Sequence, residues 1–460
     1  MKSLILRSLS RLASDYGMVA VLALLCVYYS WVTCEQQTPV GKAAAEQAAE
    51  QVEKLCGARP TVLILSRGTR EDQEFAESLA SLLAKQGAGV AGTVKEGPAD
   101  ARRQLEALNA SGSKLDAIVG DRDAIAWPVF ENLRQRFPAL GTVQTIAPHS
   151  YWWPNFLKTD NLLNVANQIT VIAVIAIGMT MVIITAGIDL SVGSLIALSA
   201  VVAAALIRGW AGGEHAGTWG MLVCSIGGMA LCTLVGVFSG AMITLFGIPP
   251  FIVTLAMMLV ASGMAYIISE GQSIYQVPDS YVWLGRGSDL LGIPNGVVLM
   301  FTLYAIAHLV MTRMSFGRYV YAVGGNAEAA RLSGVPVQRV IVIVYAISGA
   351  LAGLGGIIMA SQLKSGSPTY GAMYELYVIA AVVVGGTSLS GGEGKVLATL
   401  IGAFIIAVIQ NGMNLTGVES YTQKVVLGVV ILGAVFLDML KKRGWVTRLV
   451  SRKAIQRPVG

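Results

Sequence analysis

Two seven-residue segments share the pattern G-x-x-L-S-x-G: Gly187-Ile-Asp189-Leu-Ser191-Val-Gly193 and Gly386-Thr-Ser-Leu-Ser390-Gly-Gly392. Each separates two long apolar runs with almost no polar loop. Glycines so closely spaced break a helix and leave amides and carbonyls without intrahelical partners. Within a membrane such breaks survive only where protein covers them or where they line a watery path, and paired breaks in corresponding halves point to transport. Two tight interhelical turns are the alternative. Asp189 is the acidic residue nearest to the apolar runs, where a carboxylate is costly and functional, unless it caps the helix that follows. A third segment reads Gly324-Gly325-Asn326-Ala-Glu328-Ala329-Ala330-Arg331-Leu-Ser-Gly334. A Gly-Gly turn, an Asn N-cap and a short Ala-rich helix ending at Gly334 would present one rigid helix to a partner, or form an ordinary capped connector. None of these sets is a catalytic or metal centre. The chain also lacks G-x-x-x-x-G-K-[ST], since the run Gly391–Lys395 is followed by Val396, so it holds no phosphate loop of its own.

The elements that must position these segments are apolar. The chain is 54% hydrophobic and 13% charged, with a mean hydropathy of +0.64, whereas soluble domains carry about 25% charged residues. Runs such as Ile169–Ala186, Leu190–Ile207, Met221–Phe246 and Val340–Met359 approach or exceed the ~20 residues that a helix needs to cross a bilayer. The 52 glycines suit close helix–helix packing. An uncleaved first helix over Tyr16–Val32 and nine further spans are expected, at 166–186, 189–208, 218–246, 249–269, 295–313, 338–361, 374–389, 395–413 and 421–439. Basic residues cluster at Lys2, Arg7 and Arg11, at Arg313, Arg318, Arg331 and Arg339, and in the tail 441–460. The positive-inside rule places all three groups in the cytoplasm, and an even number of crossings agrees with it. Nucleic-acid contact is not the reading of basic loops beside so many spans.

The stretch 35–150 differs from the rest. Helical patterns at Val40–Leu55, Glu71–Gln86, Ala99–Ala110 and Ala124–Phe137 alternate with strand patterns at Thr61–Leu65, Gly89–Val94, Leu115–Val119 and Leu140–Ile146. That alternation predicts a small parallel α/β layer domain, placed outside because the first helix leaves the cytoplasm. Cys34 and Cys56 flank its start and could pair in an oxidising compartment. His149–Pro154, with its Tyr-Trp-Trp run, marks the return to the membrane interface.

From Asn155 to Leu440 the sequence resembles permeases of the ribose/xylose/autoinducer-type importer family. The resemblance rests on NLLN at 161–164, GMTMVIITAGIDLSVGS at 178–194, PPFIVTLAMM at 249–258, FGRYVYAVGGNAEAARLSGV at 316–335, YELYVIAAVVVGGTSLSGGEG at 374–394 and NGMNLTGV at 411–418. It implies a polytopic all-α membrane protein of about ten transmembrane helices, like type II importer permeases of the ATP-binding-cassette (ABC) class. It implies that Gly324, Gly325, Asn326, Glu328, Ala329, Ala330, Arg331 and Gly334 form the helix received by a separate ABC ATPase. It also implies a homodimeric or pseudo-symmetric pore with the sugar path between subunits, an extracytoplasmic sugar-binding protein as partner, and ATP with Mg²⁺ held by the ATPase rather than by this chain. Members of that family pass almost directly from the first helix to the NFL…NLLN block, so 35–150 is an insert, similar in rhythm to one lobe of periplasmic sugar-binding proteins.

The reading that follows is a multi-pass subunit of the bacterial plasma (inner) membrane, both termini cytoplasmic, that imports a small sugar without covalent chemistry. An ion-driven secondary transporter would need more intramembrane carboxylates or histidines than Asp189. A receptor sensing through the insert would need a cytoplasmic output domain, and the tail after Leu440 is short and basic, an anchor to anionic lipid.

Overall fold

The computed structural model describes residues 2–57, 59–95 and 97–442. The basic tail from Arg443 onward lies outside the described residues, as do the side chains of Lys2, Arg7 and Arg11. The chain divides into two compact units, Met1–Thr33 with Asn155–Gly460, and Cys34–Pro154. Its first helix is α1 (Lys2–Val32). Thr33 ends that helix, its hydroxyl donating to the Tyr29 carbonyl at 2.6 Å. The same residue receives the chain on its return: Asn155 N donates to the Thr33 carbonyl at 2.9 Å and Phe156 N to the Thr33 hydroxyl at 3.1 Å.

The unit Cys34–Pro154 runs β1 (Cys34–Gln37), α2 (Gly41–Cys56), β2 (Thr61–Leu65), α3 (Arg70–Lys85), β3 (Gly89–Val94), α4 (Pro98–Ala110), β4 (Ala117–Val119), α5 (Arg122–Ile125), α6 (Leu133–Arg136), β5 (Gln144–Ile146) and β6 (Tyr151–Pro154). Four strands form a parallel sheet in the order β3-β2-β4-β5, while β1 and β6 pair as an antiparallel ribbon. Successive side chains of a strand point to opposite faces. Val62 and Ile64 accordingly meet Ala45, Ala48, Phe75 and Leu79 of α2 and α3, and Leu63 and Leu65 meet Leu105 and Phe130 on the other side. The segment expected as one helix, Ala124–Phe137, is instead α5, a 3-10 turn at Pro128–Phe130, and α6. Pro128 has no N–H to give and Asn132 turns left-handed at φ 57°. The strand expected at Leu140–Ile146 shortens to β5 because Pro138–Leu140 forms another 3-10 turn. Cys34 and Cys56 are both free. Tyr151, Trp152 and Trp153 lie in β6, with Trp152 70% exposed.

The other unit is helical. It comprises, after α1, α7 (Thr159–Ile184), α8 (Val192–Gly209), α9 (Thr218–Phe246), α10 (Pro250–Ser269), α11 (Trp283–Arg286), α12 (Asn295–Arg313), α13 (Ser315–Gly325), α14 (Ala327–Leu332), α15 (Val337–Leu363), α16 (Tyr374–Val384), α17 (Val396–Leu415) and α18 (Ser420–Lys442). Seven of these, α7, α8, α9, α10, α12, α15 and α17, are long and apolar enough to cross a membrane. Three shorter apolar helical stretches, Gly17–Val32, Tyr374–Val384 and Ser420–Gly433, lie at the positions of the remaining expected spans, that at 374–389 being helical only as far as Val384. The protein is thus a polytopic helical membrane protein. At its centre α15 packs against α7, α8 and α9, and glycines set the spacing. A Cβ on Gly178 would lie 2.8 Å from Ser348 Cα, one on Gly240 2.7 Å from Val342 Cα, and one on Gly353 2.9 Å from Met229 Cα. Close approach of this kind replaces the hydrophobic drive that lipid cannot supply.

The connections sort to two ends of the bundle. At one end the backbone of Ile274 bridges that of Gly366, Lys364 pairs with Asp279, and Gly285 N donates to the Ser361 hydroxyl at 2.8 Å. The Lys364 ammonium holds the Asp279 carboxyl below the usual carboxylate range. At the opposite end of α15 lie α13 and α14.

Candidate functional site

The close of α7 and two of the segments singled out by residue type, 386–392 and 324–334, meet at the end that carries α13. Gly392 N donates to the Ile184 carbonyl at the close of α7, at 2.8 Å. Gly324 packs so tightly there that a Cβ would overlap the Ile184 carbonyl and lie 2.7 Å from Gly392 N. A Cβ on Gly391 would lie 2.9 Å from the Gly324 carbonyl oxygen, and one on Gly392 3.0 Å from Gly325 Cα. The Tyr321 hydroxyl adds a 2.8 Å bond to the Gly394 carbonyl. Gly386, Gly391 and Gly392 have φ of 81°, 80° and 77°, a region that side chains disfavour. Ser390 N is held by the Ser388 hydroxyl at 3.2 Å. Gly324 and Gly325 are therefore not a turn, as expected, but the last residues of α13, because their lack of side chains is used for packing.

From this junction α14 projects outward. Asn326 caps it as expected, its Oδ1 accepting from Ala329 N at 2.9 Å. Ala330 is buried and Leu332 is 80% exposed. Glu328 and Arg331 pair at 2.6 Å, with both side chains about two-thirds exposed, so the pair adds little to stability. Gly334 closes the helix at φ 84°, its N–H donating to the Arg331 carbonyl at 3.0 Å. The result is a six-residue rigid knob whose base is the two-break junction.

The first break continues inward. After Gly187 the backbone is irregular as far as Ser191, and α8 starts only at Val192. Asp189 is 1% exposed. Its Oδ1 accepts from Ser191 N at 3.0 Å and from the Ser191 hydroxyl at 2.6 Å, while Oδ2 accepts from the Ser348 hydroxyl at 2.8 Å. Ser348 lies near the middle of α15, so the irregular backbone is enclosed at mid-depth. The N-cap position itself belongs to Ser191, and Asp189 forms a turn onto the residue two ahead. Tyr345 and Thr254 hydroxyls reach the Ile188 carbonyl at 3.4 and 3.2 Å, so the exposed polar backbone is satisfied from neighbouring helices.

A second irregular segment comes from the other end to meet it. Between α15 and α16 the chain passes Gly366, beside Ala200 and Ala204, and reaches Gly371, beside Gly193 and Ile196. It thus travels along α8 toward that helix's first turn. A Cβ on Gly193 would collide with the Glu375 carboxylate and lie 2.7 Å from the Gly371 carbonyl. Two acidic side chains, Asp189 and Glu375, therefore flank the N-terminal end of α8, where the helix dipole favours negative charge. Among the described residues neither has a basic partner. Thus 386–392 joins the α13 junction beside the close of α7, and 366–375 meets 187–193 in the interior. Ser348, Gly371 and Glu375 were not singled out from sequence. The available signal was one acidic residue at the head of the apolar run Tyr374–Val384.

Comparison with known proteins identifies the family. The family described as "Branched-chain amino acid transport system / permease component" matches residues 161–435, and this chain belongs to it. Among its relatives, the "Ribose import permease protein RbsC" of Escherichia coli (strain K12) is 43% identical over 293 residues, 63% of this chain and 88% of the relative. The protein of the same name from Bacillus subtilis (strain 168) is 42% identical over 315 residues, 68% and 95% of the two chains. The "Xylose transport system permease protein XylH" of Escherichia coli (strain K12) is 34% identical, covering 63% and 87%. No solved structure matches.

Proposed function

We propose that this chain is the membrane-spanning permease subunit of an ABC importer for a small sugar, a ribose-like monosaccharide, in the bacterial plasma (inner) membrane. The observation that carries the reading is the junction of Ile184, Gly324 and Gly392, which ties an exposed capped helix to both backbone breaks. A loaded extracytoplasmic binding protein docks on one side, and two copies of a separate ATPase close on ATP and Mg²⁺ on the other. Their motion enters through α14 and reaches the interior through the two breaks. The pore, built by a permease homodimer, then switches from outward-open to inward-open, a population shift driven by differential affinity for the two states. This reading takes ten crossings, with both termini and α14 in the cytoplasm and the unit Cys34–Pro154 outside, docking or modulating the binding protein.

Gly334 gives the test. A Cβ there would meet nothing within 4 Å, so Gly334→Arg strains one turn and fills the docking face while sparing the membrane core. The full-length permease, purified gently with its ATPase, is expected to lose that partner and all uptake in this variant while inserting normally. Wild-type uptake by Gly334→Arg would overturn the coupling role. If no ATPase accompanies the wild type, a receptor built on the α/β unit takes the place of the importer.

A further inference from the structure

One stretch of backbone, 185–191, is held from two sides by the two helices that flank α14 in the chain. From one side comes α13: Gly324, in its last turn, seats on the Ile184 carbonyl, and Gly392 N donates to that same carbonyl at 2.8 Å. From the other comes α15, which starts at Val337, close behind Gly334. The turn between α14 and α15 is fixed by bonds from Val335 N to the Ala330 carbonyl and from Val340 N to the Pro336 carbonyl, both 3.0 Å. Ser348 stands about 17 Å along α15 from its start, eleven residues at 1.5 Å rise. There its hydroxyl donates to Asp189 Oδ2 at 2.8 Å. The Tyr345 hydroxyl, on the same face of the helix, donates to the Ile188 carbonyl at 3.4 Å.

The backbone between these two holds is suited to bending. Ala186 has φ 60°, a left-handed conformation that a residue with a Cβ adopts only under constraint, and Gly187 follows it. Such strain gathers at switch regions, and hinges are a few loop residues that take up a change of φ and ψ. Beyond them α8 and α15 form one body. The Ser199 hydroxyl donates to the Gly353 carbonyl at 2.8 Å, and Gly356 seats on the Ile196 carbonyl. Asp189 joins the backbone to both helices of that body, since its Oδ1 takes the amide and hydroxyl of Ser191, the N-cap of α8, at 3.0 and 2.6 Å. Ser348 and Asp189 are both buried. A pull at Ile184 turns 186–187 only if 188–189 stays in place. Apolar contacts let helices slide, whereas a hydrogen bond weakens steeply with distance and angle.

Resting on the importer reading above, we propose that Ala186–Gly187 is the hinge that α14 works, and that Ser348, through Asp189, is the positioning residue that holds its far edge. Tyr345 supports the same edge at Ile188. Helix α14 reaches the hinge twice, through α13 on the near side and through α15 on the far side. Its displacement therefore enters the membrane interior as a difference between the two.

The test is the ratio of labelled sugar taken up to ATP hydrolysed, measured on the full-length permease reconstituted with its ATPase and binding protein, with D-ribose, D-xylose and D-allose as probes. Ser348→Ala is expected to lower that ratio about tenfold, the loss of one hydrogen bond, while ATP hydrolysis continues and the ATPase still co-purifies. Ser348→Cys, of like size with a weaker donor, should fall between. Thr180→Val gives the comparison. It removes an equally buried bond between α7 and α17, Thr180 to Thr399 at 2.8 Å, and should leave the ratio unchanged. In an Asp189→Ala background, Ser348→Ala should add nothing, as befits two residues acting through one bond. A wild-type ratio in Ser348→Ala, the same loss in Thr180→Val, or a full further loss in the Asp189→Ala background would overturn the proposal. So would loss of the assembled complex in Ser348→Ala, which would make the bond one of folding alone. A wild type that holds no ATPase, or takes up none of the three sugars, overturns the importer reading instead.

Discussion

The two units of this chain bury their interiors by opposite means. In Cys34–Pro154 large side chains close the gaps: Leu63, Leu79, Leu83 and Leu105 are fully buried between sheet and helices. In the helical unit close approaches are made where side chains are missing, at Gly178, Gly240, Gly324 and Gly353. The difference follows from the solvent. Water drives leucines together, whereas lipid tails give helices no such drive and leave packing and interhelical hydrogen bonds to hold them. One unit should therefore be sensitive to atoms removed and the other to atoms added.

Gly324→Ala is the largest test of that contrast. Its Cβ would overlap a backbone carbonyl that cannot move without α7, so loss of the monodisperse peak in gentle detergent is expected, an effect above about 3 kcal/mol by the upper range for overpacking. Leu79→Ala in the other unit should cost about 3 kcal/mol through a cavity. Limited proteolysis should then cut within Cys34–Pro154 earlier while the helical unit keeps its melting temperature. Coincident loss of both would show that the units fold as one. Asp189→Ala removes the acceptor of three donors and should lower detergent stability by about 2 kcal/mol net, with Asp189→Asn losing less. A neutral Asp189→Ala would mean that water replaces the carboxylate. The smallest effect belongs to Gly112→Ala, where φ is 63° and a Cβ would meet nothing within 4 Å. About 1 kcal/mol is expected from the left-handed backbone alone. A larger loss there would blur the contrast with Gly324.

Much of the fold was legible in the sequence. Hydrophobic length placed the helices Thr218–Phe246, Pro250–Ser269 and Asn295–Arg313 to within a residue, and the strands Thr61–Leu65 and Gly89–Val94 were read with their exact bounds. The cap at Asn326 was legible because capping is local. What escaped was long-range. A glycine facing open space and one facing Ser348 Cα look alike in sequence, so nothing local said that Gly324 would seat on Ile184 or that Gly193 would meet Gly371. The repeated G-x-x-L-S-x-G pattern marked two breaks but not what each would pack against. In space each found a different neighbour, since a tight backbone approach is decided by which helices lie side by side.

The helical unit closes on itself at Thr33 and Asn155. Because the helical unit lets its chain go and takes it back at residues joined by a 2.9 Å hydrogen bond, the bundle is stitched as though nothing intervened. Such a socket is indifferent to the length of what it carries, since each doubling of a loop adds only about 0.6 kcal/mol to its closure. An experimenter could exploit the same seam, exchanging the unit for a fluorescent domain whose ends lie close together.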